Sequence, residues 1–280
     1  MKKRSIALIM AILAVVLCFA LAACGGDKNT DGNATAGNAS DGNATAGDVA
    51  SDLAYIQEKG KLVVGMTDYA PMNYKDENGA WTGFDTEFAI AVAEKLGVEV
   101  EFIEINWDNK FLELEAKDID CIWNGMTITE EALANASVSD AYVKNAQVVV
   151  MKKDALADFA DAASIADLSF AVEAGSAGEA EAKALGVDYI ASETQSAALL
   201  EVAGNKVDAC IIDITMANAM TGEGTSNADL GYAIELSTEE YGIAFRKDSD
   251  ATAEVNKIMA DLIADGTLTA LADKYELTLA

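Results

Sequence analysis

Histidine is absent from the 280 residues, arginine occurs only at Arg4 and Arg246, and proline only at Pro71. Without imidazole the chain lacks the usual general base at neutral pH and the commonest zinc ligand, which excludes Ser-His hydrolases and His-bound metal enzymes. Basic side chains number 19 against 47 acids, a net charge of -28, so a nucleic-acid backbone would be repelled and no nucleic-acid partner is expected. Cysteines number four. Cys121 and Cys210 sit in the middle of apolar runs and read as buried free thiols rather than a disulfide. No cofactor and no metal are expected. What is present in quantity is hydrophobic residue, 51%, enough for one large domain or two of about 100 to 150 residues.

The amino terminus reads as an address. MKKR gives a positive start, Ile6 to Ala20 is an unbroken apolar run, and LAAC closes it at Leu21–Cys24. LAAC resembles the bacterial lipobox, which implies a signal peptide over 1–23, cleavage before Cys24 and lipidation of its thiol. The alternative is an uncleaved membrane anchor, since the apolar stretch is about long enough to span a bilayer. Either way the remainder is extracytoplasmic and tethered to the membrane. From residue 24 to 50 the sequence is low in complexity, with DGNATAG at 31–37 and again at 41–47. Lacking apolar periodicity, it reads as a disordered linker with a reach of roughly 25 to 30 Å.

From Ser51 onward strand-like and helix-like runs alternate. KLVVGMT, a helix over 85–96, VEVEFIEI, a helix over 109–117 and IDCIWNG form one series; AQVVVMKK leads into a second, with SFAVEAG, a helix over 179–185, DYIAS, a helix over 195–204 and VDACIID. This order predicts βαβ units and two mainly parallel sheets flanked by helices, an α/β protein of two similar halves. The helix over 85–96 is expected to bury Phe88, Ile90, Val92 and Leu96 and to stop at Gly97 in a left-handed cap. YGIAFRKD and a helix over 253–265 return the chain to the first half, so two crossings make a hinge. The lobes expected are 51–145 plus 240–280, and 146–239.

Ligands of open α/β sheets sit beyond the carboxyl ends of strands, so the polar residues that end IDCIWNG and VDACIID are the candidate site. Ser176, Ala177 and Gly178 open a helix, and their free N–H groups and the positive helix end suit an anion. Ser176 with Glu179 also matches a capping box, as does Thr127 with Glu130.

Over nearly all of 55–280, through KLVVGMTDYAPMNY, WTGFD, NGMTIT, SDAY, AVEAGSAGE, VDACIID, YGIAFRKD and ADGTL with ALADKY, the chain resembles the extracellular solute-binding proteins of polar amino acid ABC importers, family 3. The resemblance implies a two-lobed type II periplasmic-binding-protein fold that closes on a small ligand and hands it to a membrane permease, as a monomer and without catalysis. It implies that Tyr69 stacks on the ligand side chain beside Trp107, each of which would otherwise be core. It implies that Asn124, Gly125 and Thr127 hydrogen-bond the ligand's α-amino and α-carboxylate groups. Asp213 would accept the ammonium as a charge-assisted pair, or else cap the helix that follows.

One position departs from the pattern. The family's TIT-x-E-R places an arginine where this chain has Ala132, and that arginine forks onto the ligand carboxylate. Its loss would cost roughly 1.5 to 3 kcal/mol if nothing replaces it. Three readings follow: the carboxylate is held by the 176–178 N–H groups, Thr127 and a lysine such as Lys110 or Lys144; or the ligand is a cationic amine without an α-carboxylate, selected by Asp213 with Asp68 or Glu173; or the copy is losing function. A secreted lyase or dehydratase using Asp68, Glu173 or Asp213 as acid or base is the enzymatic alternative.

Overall fold

Apolar runs uninterrupted by polar residues become strands buried on both faces, and the computed structural model of the protein, which describes residues 51–280, is organised around them. The signal peptide, the Cys24 lipidation site and the linker to residue 50 lie outside the described residues. The chain runs α1 (Asp52–Lys59), β1 (Lys61–Met66), β2 (Tyr74–Lys75), β3 (Trp81–Thr82), α2 (Phe84–Leu96), β4 (Glu99–Glu104), α3 (Lys110–Ala116), β5 (Cys121–Thr127), α4 (Glu130–Asn135), β6 (Ala136–Val138) and β7 (Val143–Lys152). It continues with β8 (Ser169–Glu173), α5 (Ala177–Leu185), β9 (Asp188–Ser192), α6 (Gln195–Ala203), β10 (Ala209–Asp213), α7 (Ile214–Met220), β11 (Leu230–Arg246), α8 (Ala251–Ala264) and α9 (Thr267–Lys274).

The strand order is β4-β1-β5-β11-β7-β10-β8-β9, with β6 added to β11. Strands β4, β1 and β5 are parallel to one another, as are β10, β8 and β9. Between these halves β7 and β11 run antiparallel to their neighbours. The two sheets expected from the sequence are therefore hydrogen-bonded into one path through two long strands. Strand β11 pairs with β7 over Leu230–Tyr241 and with β5 and β6 over Tyr241–Arg246, so the chain changes halves around Tyr241.

Alternation along each strand divides the core. Leu62, Val64, Cys121, Trp123, Val148, Val150, Cys210 and Ile212 face one continuous cluster that spans both halves. Val63 and Ile122 face a separate cluster in the first half, and Val149, Met151 and Ile211 one in the second. Cys121 and Cys210 are free and buried, and burial pushes both thiols up. Helix α2 ends at Gly97 with φ 74°, as expected, and buries Phe84, Phe88, Ala89, Val92, Ala93 and Leu96. Ile90, expected inside, is 38% exposed, because the buried stripe turns one residue away from it. Arg246 ties the base of the first half together: it pairs with Asp52 at 2.7 Å and with Asp120 at 3.1 Å and donates to the Ile119 carbonyl at 2.7 Å.

Candidate functional site

The carboxyl ends of β5, β8 and β10 open onto one cavity of about 280 Å³ between the halves. At the end of β5, Asn124 uses its whole side chain internally. Its Oδ1 accepts from the Thr67 backbone N–H (3.0 Å) and hydroxyl (2.9 Å), and its Nδ2 donates to the Thr67 carbonyl (3.0 Å) and Asn73 Oδ1 (2.8 Å). What Asn124 offers the cavity is consequently backbone. Gly125 follows with φ +54°, where an added Cβ would lie 2.7 Å from Tyr69 Cε1, so only glycine fits. Its N–H donates to Asp85 Oδ2 at 2.7 Å, which removes the Gly125 N–H from ligand binding. Asp85 also accepts from the Tyr142 hydroxyl at 2.9 Å, and burial raises its pKa to about 7.

Thr127 lines the cavity but caps nothing: its hydroxyl donates to Glu239 Oε1 at 3.0 Å. The cap of α4 is Thr129, whose Oγ1 accepts from the Ala132 N–H at 3.1 Å, so the capping box expected at Thr127 and Glu130 is corrected by two residues. The cause is that β5 runs on through Thr127 before the helix starts.

From the second half, Ser176 caps α5 by accepting from the Glu179 N–H at 3.1 Å. Glu179 in turn accepts from the Gly175 N–H at 3.0 Å. Ser176 and Ala177 line the cavity; Gly178 does not, because it packs on β10, where an added Cβ would lie 2.6 Å from the Ile211 carbonyl oxygen. The first-turn N–H groups of α5 have no acceptor within the helix. They supply partial positive charge at the cavity wall.

Asp213 ends β10 at 2% exposure. Its carboxylate does not cap α7, although it occupies the cap position. Instead Oδ1 accepts from Asn145 Nδ2 (2.8 Å) and from Gln147 Nε2, and Oδ2 accepts from Gln195 Nε2 (2.6 Å). Gln195 Oε1 also accepts from the Asp213 N–H at 2.9 Å. Glu239 shares the Asn145 and Gln147 donors, and burial together with the nearby Asp213 charge raises its pKa to about 7.

Four further ionisable residues line the cavity: Glu130 and Glu131 at the start of α4, and the two buried ones, Glu173 and Lys110. Glu173, at the end of β8, is 3% exposed and its Oε1 has no hydrogen-bond partner. Burial and then the Asp213 charge raise its pKa to about 8. Lys110, on α3, is 7% exposed; its Nζ donates to the Trp107 carbonyl (3.2 Å) and, across the halves, to the Gly175 carbonyl (2.8 Å). Burial lowers its pKa. Its ammonium lies 5.1 Å from the ring centres of both Trp107 and Phe111, within cation–π range. Lys110 is the one Lys or Arg on the lining, and Ala132 lies on the same lining.

The halves touch directly. Gly175 lies so close to Asp108 that an added Cβ would be 2.7 Å from its Cα. Tyr69, in the first half, bonds through its hydroxyl to Tyr241 and to Thr215 in the second half. Tyr69, expected to stack on a ligand, is 1% exposed and lies beneath Gly125, off the cavity wall. Trp107 lies on the cavity wall and belongs to the first-half core. Asp68 and Lys144 are exposed and away from the lining. Among the described residues no group of His, Cys, Asp and Glu is arranged to hold a metal ion.

Sequence reasoning did not single out Phe111, Gln195, Asn145, Gln147 or Glu239. Gln195 carried a usable signal, since it opens a helix after a capping threonine, Thr194, at a strand end. The other polar three lie within strands and carry none.

The chain matches the model of the bacterial extracellular solute-binding proteins, family 3, over residues 62–278. It is 34% identical over 229 residues to the arginine-binding extracellular protein ArtP of Bacillus subtilis (strain 168), covering 78% of this chain and 86% of that protein. Among solved structures, a mutant of ArgBP from T. maritima superposes with a TM-score of 0.75 at 33% identity, covering 80% of this chain and 98% of that one. The ancestral amino acid-binding protein AncCDT-1, a precursor of cyclohexadienyl dehydratase, also superposes with a TM-score of 0.75, at 31% identity, covering 80% and 99%. With a parallel half-sheet on either side of two crossing strands and a cavity at their carboxyl ends, the fold is the two-lobed type II periplasmic-binding-protein fold, and the chain belongs to the bacterial extracellular solute-binding proteins, family 3.

Proposed function

We propose that the protein captures an amino acid or a related small polar solute outside the cytoplasm, closes its lobes over it, and delivers it to the permease of an ABC importer. The observation that supports this most is the meeting, on one cavity, of an amide-held carboxylate, Asp213, with a helix N-terminus at Ser176 and Ala177 and a buried ammonium, Lys110. Asp213 takes the ligand ammonium as a charge-assisted pair. Lys110 and the N–H groups of α5 take its carboxylate, in place of an arginine at Ala132. The backbone of Asn124 and the hydroxyl oxygen of Thr127 complete the first-lobe side, and Trp107 with Phe111 borders the ligand's apolar part.

The lobes are 51–145 plus 240–280, and 146–239, with β7 and β11 as the hinge. Residues 1–23 act as a signal peptide, and lipid on Cys24 holds the monomeric receptor at the membrane through the 24–50 linker. The protein is a binder rather than an enzyme: the lining carboxylate, Asp213, is occupied by side-chain amides from Asn145, Gln147 and Gln195, which hold it as a fixed charge.

Titration calorimetry against amino acids tests this reading. Saturable heat with one ligand per chain and no product is expected; steady product formation, or no binding to any amino acid or amine, would overturn it. Ala132→Arg separates the two ligand classes left open by the sequence. Tighter amino acid binding supports a ligand carboxylate near Lys110, whereas no gain favours an amine without one.

A further inference from the structure

Glu173 is a carboxyl group that the fold buries with one oxygen, Oε1, left without a partner, while Thr67 lies close enough to oppose the rise in its pKa. It ends a strand on the cavity wall at 3% exposure, and Oε1 accepts no hydrogen bond. Asp213, by contrast, has three side-chain amides on its two oxygens. An acceptor atom left bare in a protein interior costs free energy unless something arrives to satisfy it. The charged groups that act on it come from two elements, Asp213 on β10, which opposes its ionisation, and Lys110 on α3, which favours it. Lys110 forms no ion pair with Glu173, because its ammonium is directed at the Trp107 and Gly175 carbonyls.

We infer that Glu173 is a cation subsite of the cavity, which exchanges its own proton for a positively charged group of the ligand. The inference rests on the binding function proposed above. Before ligand binds, the carboxyl is neutral, which avoids a second negative charge beside Asp213. When a ligand ammonium or guanidinium enters, the O–H bond of Glu173 breaks, the proton passes to solvent buffer, and the carboxylate pairs with the ligand cation. The ligand class is therefore one with two positive groups, one for Asp213 and one for Glu173. A pKa near 8 for the empty site agrees with this exchange at neutral pH.

The test compares L-lysine, cadaverine and the neutral isostere L-norleucine by calorimetry, each in phosphate and in Tris at pH 6, 7 and 8. The expected result for wild type is release of about one proton per bound lysine or cadaverine at pH 7. The preference for cation over norleucine should be at least roughly tenfold at pH 8 and should shrink as pH falls toward 6, where the proton competes more strongly. Glu173→Gln should abolish both the proton release and the preference, and Glu173→Asp should retain the release with weaker binding. Norleucine binding as tightly as lysine, or proton release unchanged in Glu173→Gln, would overturn the subsite while leaving amino acid capture standing. No binding of any amino acid or amine would overturn both.

Discussion

Asp213 and Glu239 share the same two amide donors: Asn145 Nδ2 and Gln147 Nε2 each give one N–H to Asp213 Oδ1 and the other to Glu239 Oε1. Asn145 and Gln147 lie on β7 and Glu239 on β11, so one oxygen of the Asp213 carboxylate is held from the two strands that join the halves, while Gln195 of α6 holds the other.

That sharing separates the two acids by experiment. Asp213→Asn removes the charge facing the ligand and should weaken binding of an ammonium ligand roughly a hundredfold, the range expected for a charged partner lost in a dry site. Glu239→Gln keeps an acceptor for Thr127, Asn145 and Gln147 and should change Kd by less than about threefold. Calorimetry on both variants checks this; equal losses would mean that Asp213 acts only as scaffold.

Lys110→Met keeps the stem that packs on Trp107 and Phe111 and deletes the ammonium. Amino acid binding should fall roughly ten- to a hundredfold, with little change for a ligand that has no carboxylate. A uniform fall across both ligand kinds would assign Lys110 to holding the lobes together through Gly175 instead.

Asp85, Glu173 and Glu239 have pKa values raised to about 7, 8 and 7, well above the roughly 4 of an unfolded chain. For an acid raised in this way, the native state binds the extra proton. Its contribution is full below about pH 4 and is lost as pH climbs to 7 or 8. The protein without ligand should therefore be more stable at pH 5 than at pH 8, each of these acids taken singly contributing on the order of 3 kcal/mol. Urea titrations at the two values check this. Asp85→Asn, which can still accept from Gly125 and Tyr142, should flatten the slope, and a stability that rises toward pH 8 would contradict the assignment.

Asp120 is wholly buried and is held by Arg246 at 3.1 Å, by Lys59 at 2.5 Å and by the Val63 N–H at 2.8 Å. Arg246→Met should cost roughly 2 to 4 kcal/mol of stability, since one partner of a buried charge is removed and the other stays. Ligand affinity should be unchanged, because this cluster lies away from the cavity. Chemical denaturation and calorimetry on one preparation read both quantities.

Much of the scaffold was legible because the strands are apolar runs and the helices carry their own stops. The run ACIID at the end of VDACIID is buried throughout, and Asp213 was visible as its polar end. Strand β11 was only partly visible. YGIAFR announced its buried end, while LGYAIELSTEE, over which it pairs with β7, mixes polar and apolar residues because that stretch is partly solvent-facing. Glu239 was hidden for the same reason. Its orientation depends on where two strands cross, and no local pattern encodes that crossing. The burial of Tyr69 was not legible, because an aromatic in a turn looks available and its hydroxyl partners, Thr215 and Tyr241, are distant in sequence. Ala132 was legible only as a departure, and the lysine that shares its cavity lining comes from another helix.

The two silent thiols also make the molecule convenient to instrument. Cys121 and Cys210 are at 0% exposure in central strands, so a maleimide dye reaches them only when those strands come apart. A cysteine introduced on the exposed rim, as in Glu131→Cys, would then be the fast-labelling thiol among residues 51–280. Its labelling rate with and without solute would serve as a clock for how often the mouth stands ajar.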